Sequence, residues 1–279
     1  MTITWEQAAK HLDRAAQMLD QTAPVHVSGP LSVGIDLGTA DIVLMVLAGS
    51  GEPVATFMEW TEVVRDGIVV DFVGAVDIVR RLVGKAEQRL SRKLAAAATS
   101  YPPGTDPRLS TNVLESAGLD VLAVKDEPSC VASLLHLDKA AVVDVGGGTT
   151  GTAVVRNGSV VFTGDEPSGG RHITLSVAGH FGITFEEAEK RKRRPDQYEI
   201  QDLARPTLQR ISDIVARHIS GHTVERIILT GGTFCLPGAD RVFAQELELP
   251  VQLPSQPLLL TPLAIAALPL LKELGSRGS

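Results

Sequence analysis

The stretch Val142-Val143-Asp144-Val145-Gly146-Gly147-Gly148-Thr149-Thr150 decides the fold of this chain, because an earlier stretch repeats its design: Val33-Gly34-Ile35-Asp36-Leu37-Gly38-Thr39. Each runs as a short apolar strand to an aspartate, turns through glycine and reaches a threonine hydroxyl. Glycine lets backbone N–H groups close on an anion, and successive amides in such a turn form a phosphate-sized concavity. A carboxylate at the strand end beside it is placed to hold Mg²⁺ through water, since that ion takes few carboxylates and keeps several waters. One glycine turn is a weak signal, because most only reverse the chain. Two of matched design, each opening a copy of one unit, point to a pair of phosphate loops.

Working outward, the first copy reads as strands at 31–36, 42–47 and 53–58, a helix at 76–94, a strand at 94–99, a helix at 107–117, a strand at 121–124 and a helix at 128–137. The second reads as strands at 141–144, 152–156 and 159–163, helices at 170–180, 185–193 and 199–219, a strand at 227–229, a glycine turn, and helices at 236–247 and 263–271. Three strands with a glycine turn after the first, followed by alternating helices and strands, thus occur twice. The pattern predicts an α/β fold of two lobes, each a mixed sheet covered on both faces. Residues 1–22 hold an amphipathic helix with a capping box at Thr4 and Gln7, and 23–30 read as a linker. Residues 31–139 form lobe I, completed by a C-terminal helix at 261–272, and 140–260 form lobe II. The N-terminal helix either docks on these lobes or lies in a partner's groove.

Composition narrows the partners. Hydrophobic residues make up 44% of the 279 and charged residues 21%, enough apolar material for a sizeable core. A net charge of -7 argues against nucleic acid. The run Lys190-Arg191-Lys192-Arg193-Arg194 reads as a solvated helix end or as a source of ligand contacts. Two cysteines, Cys130 and Cys235, are too few for a disulfide framework and read as buried free thiols in a reducing compartment. The first ten residues carry no apolar run of leader type. Leu258 to Leu271 is broken by Pro262 and Pro269, so no stretch approaches the ~20 apolar residues that span a bilayer. A cytoplasmic protein without a membrane partner is expected.

The order of these parts resembles the actin, sugar-kinase and heat-shock-chaperone ATPases over about residues 31–272. The resemblance implies a duplicated ribonuclease-H-like fold with reduced outer subdomains, its two lobes closing on Mg-ATP. Asp36, Gly38 and Thr39 match phosphate loop one, and Asp144, Gly146, Gly147, Gly148 and Thr149 match phosphate loop two. Gly231, Gly232 and Thr233 match the adenosine turn. Asp126 to Ala132 and Thr261 to Ala267 look like the two connecting helices, with Glu127 beside the attacking water. Glu189 and Lys192 look like the pair that brackets ribose and adenine. By this likeness Asp36 and Asp144 hold Mg²⁺ through water and Glu127 serves the chemistry.

Within the superfamily the chain is most similar to the chaperone-like family of bacterial ethanolamine utilisation, on the stretch Glu62 to Gly74 and the compact length. That implies a slow ATPase binding ATP and ADP, with a microcompartment enzyme or shell protein as client. The client-binding domain of the large chaperones has no counterpart, so a lobe surface or the N-terminal helix is expected to grip the client. Lys85 and Lys93 read as helix-surface residues, which leaves no match for the chaperones' catalytic lysine. One rival is a nucleotide-binding scaffold with negligible hydrolysis. Another is a small-molecule kinase, whose acceptor-side carboxylate would be Asp165, read here as a loop residue. A filament-forming protein is a third. His218 and His222 are four apart, but Gly221 ends their helix and argues against zinc.

Overall fold

The computed structural model describes residues 2–65, 68–198 and 200–275. After α1 (Trp5–Gln17), the first half runs β1 (Leu31–Leu37), β2 (Asp41–Ala48), β3 (Pro53–Trp60), the short hairpin β4 (Val64–Arg65) and β5 (Ile68–Val69), α2 (Phe72–Leu90), β6 (Ala96–Tyr101), α3 (Arg108–Ser116), β7 (Asp120–Asp126) and α4 (Glu127–Leu135). The second half runs β8 (Ala140–Val145), β9 (Thr150–Arg156), β10 (Ser159–Glu166), α5 (Gly170–Phe181), α6 (Phe185–Lys192), α7 (Pro195–Tyr198), α8 (Ile200–Ile219), β11 (Arg226–Thr230), a 3-10 turn (Gly232–Cys235), α9 (Ala239–Leu247), β12 (Val251–Gln252) and α10 (Pro257–Gly275).

The two main sheets have one topology. Their strand orders are β3-β2-β1-β6-β7 and β10-β9-β8-β11-β12. In each, three antiparallel strands are followed by two parallel ones. The duplication expected from the glycine turns is therefore present strand for strand. Each sheet has a core on its outer face, one with α2, the other with α5, α8 and α9. A third core lies between the sheets around α4 and α10. Here the copies exchange elements: α4 packs on β8 and β9, and α10 packs on β1, β2 and β6. The approach of α10 to β1 is close. A methyl group on Gly34 would lie 2.4 Å from the Ala266 nitrogen, and Ser32 Oγ donates to the Ala266 carbonyl at 2.6 Å.

The N-terminal helix docks on its own chain. Thr4 and Gln7 form the expected capping box. Ala8, Leu12 and Ala15 bury their side chains in the central core beside α4 and α10. The segment 23–30, which read as a linker, is tied to the first half of the chain. Arg89, only 5% exposed, donates to the carbonyls of Gln21, Ala23 and Val54. Arg92 donates to those of Val27 and Gly29. Asp20 caps the outer edge of β3: its amide donates to the Thr56 carbonyl and its carboxylate accepts from the Met58 amide. Proline, glycine and short polar residues here signal an irregular path, which is not the same as a mobile one.

Other differences have local causes. Helix α2 starts four residues before expectation because Asp71 caps it, accepting from the Gly74 amide at 2.9 Å. Helix α10 starts at Pro257 and runs through Pro262 and Pro269, which had read as breaks. Leu259, Leu260 and every residue from Leu263 to Leu268 are buried, and that apolar contact outweighs the lost N–H bonds. Strand β10 continues through Gly164, so Asp165 stands in the sheet opposite Gly151 and not in a loop. The hairpin β4–β5, the turn α7 and the strand β12 are too short for a periodic signal. Asp66 and Gly67 of the stretch 62–74, and Glu199, expected to open a helix, lie outside the described residues.

Candidate functional site

The carboxyl ends of β1 and β8 open into a cavity of about 310 Å³ between the two sheets. All the site residues named from the sequence line it. The turn after β1 contributes Asp36, Gly38 and Thr39; the turn after β8 contributes Asp144, Gly146, Gly147, Gly148 and Thr149. Glu127 enters from the first turn of α4. Glu189 and Lys192 come from α6, and Gly231, Gly232 and Thr233 from the turn after β11. The two glycine turns nearly touch: a methyl group on Gly147 would lie 3.1 Å from Ala40 Cβ.

The second turn is tied down on its far side. The Gly146 carbonyl accepts from the Gly170 amide at 3.0 Å and from Thr233 Oγ1 at 2.9 Å, and the Gly147 carbonyl accepts from the Arg171 amide at 2.7 Å. Gly231 follows β11 with φ +99, and a side chain there would lie 2.6 Å from Asp144 Oδ1. Only glycine supports that backbone at that distance from a carboxylate.

Carboxylates crowd the inner end. Burial, then the charges of Asp144 and Asp41, push Asp36 up to about 8, against the hydrogen bond from Ser100 Oγ. Burial lifts Asp144 to about 6, although Thr261 donates to it. Glu127 is pushed well above the carboxylate range by burial, Asp144 and Asp36. Asp41, on the return side of the first turn, is raised to about 6 by burial despite Arg193. Asp165 is raised to about 7, mainly by burial, and its Oδ1 is buried without a partner. Such crowding of negative groups favours a cation.

The outer end is an ion-pair network. Glu189 Oε2 accepts from Lys192 at 2.7 Å and Thr174 at 2.5 Å, and its Oε1 accepts from Arg193 at 2.9 Å. Burial works against the charge of Glu189, but Lys192 and Thr174 bring its carboxyl below the usual range. Burial lowers Lys192. Arg193 stacks on Trp60 of β3 across the mouth.

Sequence reasoning missed Asp41 and Trp60, and named Arg193 only as a member of the basic run 190–194. A second acid five residues after Asp36 was the available signal for the first, and an aromatic closing a strand for the second. Cys130 is buried as expected, whereas Cys235 is exposed. It ends the 3-10 turn that forms the cavity wall, and its apolar neighbours Phe234 and Leu236 take the inward positions. Lys93 pairs with Glu87 on the surface. Among the residues lining the cavity, Lys192 is the lysine, and its Nζ donates to the Gly170 carbonyl at 3.2 Å and pairs with Glu189. His218 and His222 both pack on the Phe162 ring.

Among the described residues no three His, Cys, Asp or Glu side chains are grouped to ligate one ion directly. A hard cation held through its waters by one or two carboxylates needs no such group, so the oxygen donors of Asp36 and Asp144, both raised first by burial, fit Mg²⁺. No helix among the described residues is long and apolar enough to cross a membrane.

Residues 128–259 match the family model of the type IV pilus assembly protein PilM. The ethanolamine utilization protein EutJ of Salmonella typhimurium is 51% identical over 256 residues, 91% of each chain. A crystal structure of EutJ from Carboxydothermus hydrogenoformans superposes with a TM-score of 0.87 at 40% identity, covering 94% of this chain and 98% of that one. MreB5 of Spiroplasma citri, in a crystal structure bound to AMPPNP, has the same fold: TM-score 0.68 at 14% identity, over 90% of this chain and 100% of that one. The two-lobed fold is thus of the actin and heat-shock-chaperone type, and this chain belongs to the EutJ family of ethanolamine utilisation proteins.

Proposed function

We propose that the chain binds Mg-ATP between its lobes, hydrolyses it slowly, and acts as a chaperone-like factor in ethanolamine utilisation. One observation carries this reading: two glycine turns from two separate sheets, each with its own strand-end aspartate, wall a single cavity. The proposed place is the cytoplasm, in association with microcompartments, and the proposed client is one of their enzymes or shell proteins.

In this reading the amides of the two turns, with the hydroxyls of Thr39 and Thr149, bind phosphate oxygens. Asp36 and Asp144 hold Mg²⁺ through its waters. The bound ion supplies charge neutralisation at the phosphates, the main requirement of phosphoryl transfer. Burial, then the charges of Asp144 and Asp36, favour the protonated form of Glu127. Once those charges are compensated it can ionise, orient a water and take its proton. Glu189 and Lys192 face the nucleoside. The fold shared with an AMPPNP-bound MreB5 supports the assignment of a nucleotide.

A second reading, a nucleotide-binding scaffold with negligible hydrolysis, is favoured by the engagement of Lys192, the lysine among the residues lining the cavity, with Glu189 at 2.7 Å. The kinase reading has little support, since Asp165 is not among the residues lining the cavity. Calorimetric titration with Mg-ATP and Mg-ADP tests the site, and phosphate release from wild type and Glu127→Gln tests the chemistry. Binding that EDTA abolishes, with phosphate release reduced in the variant, is expected. Equal release from both proteins selects the scaffold, and absence of binding at millimolar nucleotide overturns the proposal.

A further inference from the structure

Two threonine hydroxyls and a carboxylate meet at the junction of the lobes. Thr261 Oγ1 donates to Asp144 Oδ2 at 2.5 Å. Thr230 Oγ1 lies 3.0 Å from Thr261 Oγ1 and 3.1 Å from the carbonyl oxygen of Pro257. All three side chains are buried. Thr230 and Asp144 are paired neighbours on β11 and β8, in the second sheet. Pro257 and Thr261 belong to the start of α10, whose body packs on the first sheet.

The protons do not suffice for every contact. Each hydroxyl has one proton to give and can accept in return. Two protons therefore serve three contacts. In one arrangement Thr230 donates to Thr261 and Thr261 to Asp144. In the reverse arrangement Thr261 donates to Thr230 and Thr230 to the Pro257 carbonyl. If both protons point outward, two oxygens stand 3.0 Å apart with no proton between them, which is repulsive. The buried chain has two self-consistent directions, and the state of Asp144 selects between them.

We propose that Thr261 is a positioning residue that couples the phosphate end of the cleft to the lobe carrying α10, through reversal of this hydroxyl chain. The inference rests on the nucleotide reading above. When Asp144 turns Oδ2 toward the waters of a bound Mg-nucleotide, Thr261 loses its acceptor and donates to Thr230 instead. Thr230 then donates to Pro257. The hydrogen bond from α10 to the second phosphate turn is released, while that from the Gly231 amide to the Pro257 carbonyl, 3.0 Å long, remains as a pivot. Closure of the lobes is thereby linked to occupation of the inner end of the site.

The test compares wild type with Thr261→Val, Thr261→Ser and Thr230→Val, using Mg-AMPPNP so that turnover plays no part. Calorimetry reads binding, and small-angle X-ray scattering reads the change in radius of gyration. Wild type and Thr261→Ser are expected to bind and to compact equally. Thr261→Val is expected to bind within ~3-fold of wild type yet lose most of the compaction, because the differential contact that drives closure is gone. Thr230→Val leaves the Asp144 contact in place but removes the route to Pro257, so it is expected to lose compaction too. Full compaction in either valine variant overturns the coupling while leaving nucleotide binding intact. A wild type that binds no Mg-AMPPNP overturns both proposals, and Thr261→Ser behaving as Thr261→Val assigns the threonine a packing role and overturns the coupling.

Discussion

The guanidinium carbon of Arg193 lies 3.5 Å from the centre of the Trp60 ring, joining the end of β3 to the residue that caps α6 across the cleft. Glu189 holds the same guanidinium from behind. An exposed contact of this kind contributes about 0.5–1 kcal/mol. That is enough to slow opening of the mouth but too little to keep it shut. Trp60→Ala is expected to raise nucleotide association and dissociation rates together, with the dissociation constant changed less than ~5-fold. Stopped-flow titration with a fluorescent nucleotide reads both rates; a change in only one of them contradicts a gating role.

The crowded carboxylates set the pH dependence. Asp36 is raised from 3.8 to about 8, and Asp144 to about 6. A raised acid holds its proton in the folded chain after the unfolded chain has released it, so the folded state binds more protons and stability falls with rising pH. The fall begins near 3.8 and is complete above the raised value of Asp36. Thermal melts in EDTA should therefore decline steadily from pH 5 to ~8.5, and Mg-nucleotide should recover the most at the alkaline end. A flat profile rules out the crowding.

Asp36→Asn removes the cost of burying that carboxyl beside Asp144 and Asp41 while keeping the shape and a partner for Ser100. The variant is expected to melt a few degrees above wild type near neutral pH in the absence of nucleotide, since ~1 kcal/mol moves the midpoint by a few degrees. Its stabilisation by Mg-ATP is expected to vanish. Differential scanning calorimetry with and without the ligand measures both effects.

Arg89 spends its guanidinium on three backbone carbonyls, two of them in the segment that leads from α1 to β1. Arg89→Ala leaves those acceptors without donors and is expected to cost about 3 kcal/mol. The loss should be local as well as global. Hydrogen exchange at residues 18–29 should rise far above that of β1, and limited proteolysis should cut there first.

Gly34→Ala places a methyl group 2.4 Å from the Ala266 backbone, where no flexible side chain can yield. A cost of at least ~2 kcal/mol is expected from the forced separation of β1 and α10. Urea denaturation measures it. Gly84→Ala, which meets nothing within 4 Å, is the control and should stabilise or leave the protein unchanged.

Much of this was legible from residue order alone. The glycine turns announced themselves because the same order of strand, aspartate, glycine and threonine occurs twice, and the duplication then marked the two sheets. What escaped was decided by contacts distant in sequence. Nothing near Asp41 signals that Arg193 and Asp144 will face it. The clamp of Arg89 on residues 21–23 spans more than sixty positions, so a proline- and glycine-bearing stretch looked free. Pro262 and Pro269 read as breaks in the apolar stretch 258–271 because the local penalty is visible in sequence and the burial that outweighs it is not.

The crossing of α4 and α10 bears on how such a chain could arise. Each copy sends its final helix onto the sheet of the other, and the two helices also pack on one another. A lone ancestral copy would have left that helix without a sheet to cover and the inner face of its own sheet without a helix. The same contacts are satisfied without fusion only by a twofold pair of identical units trading their last helices, a homodimer of the swapped kind. Fusion of two such genes would join the subunits permanently and release each half to diverge, one gaining α5 to α9 and the other the docked N-terminal helix.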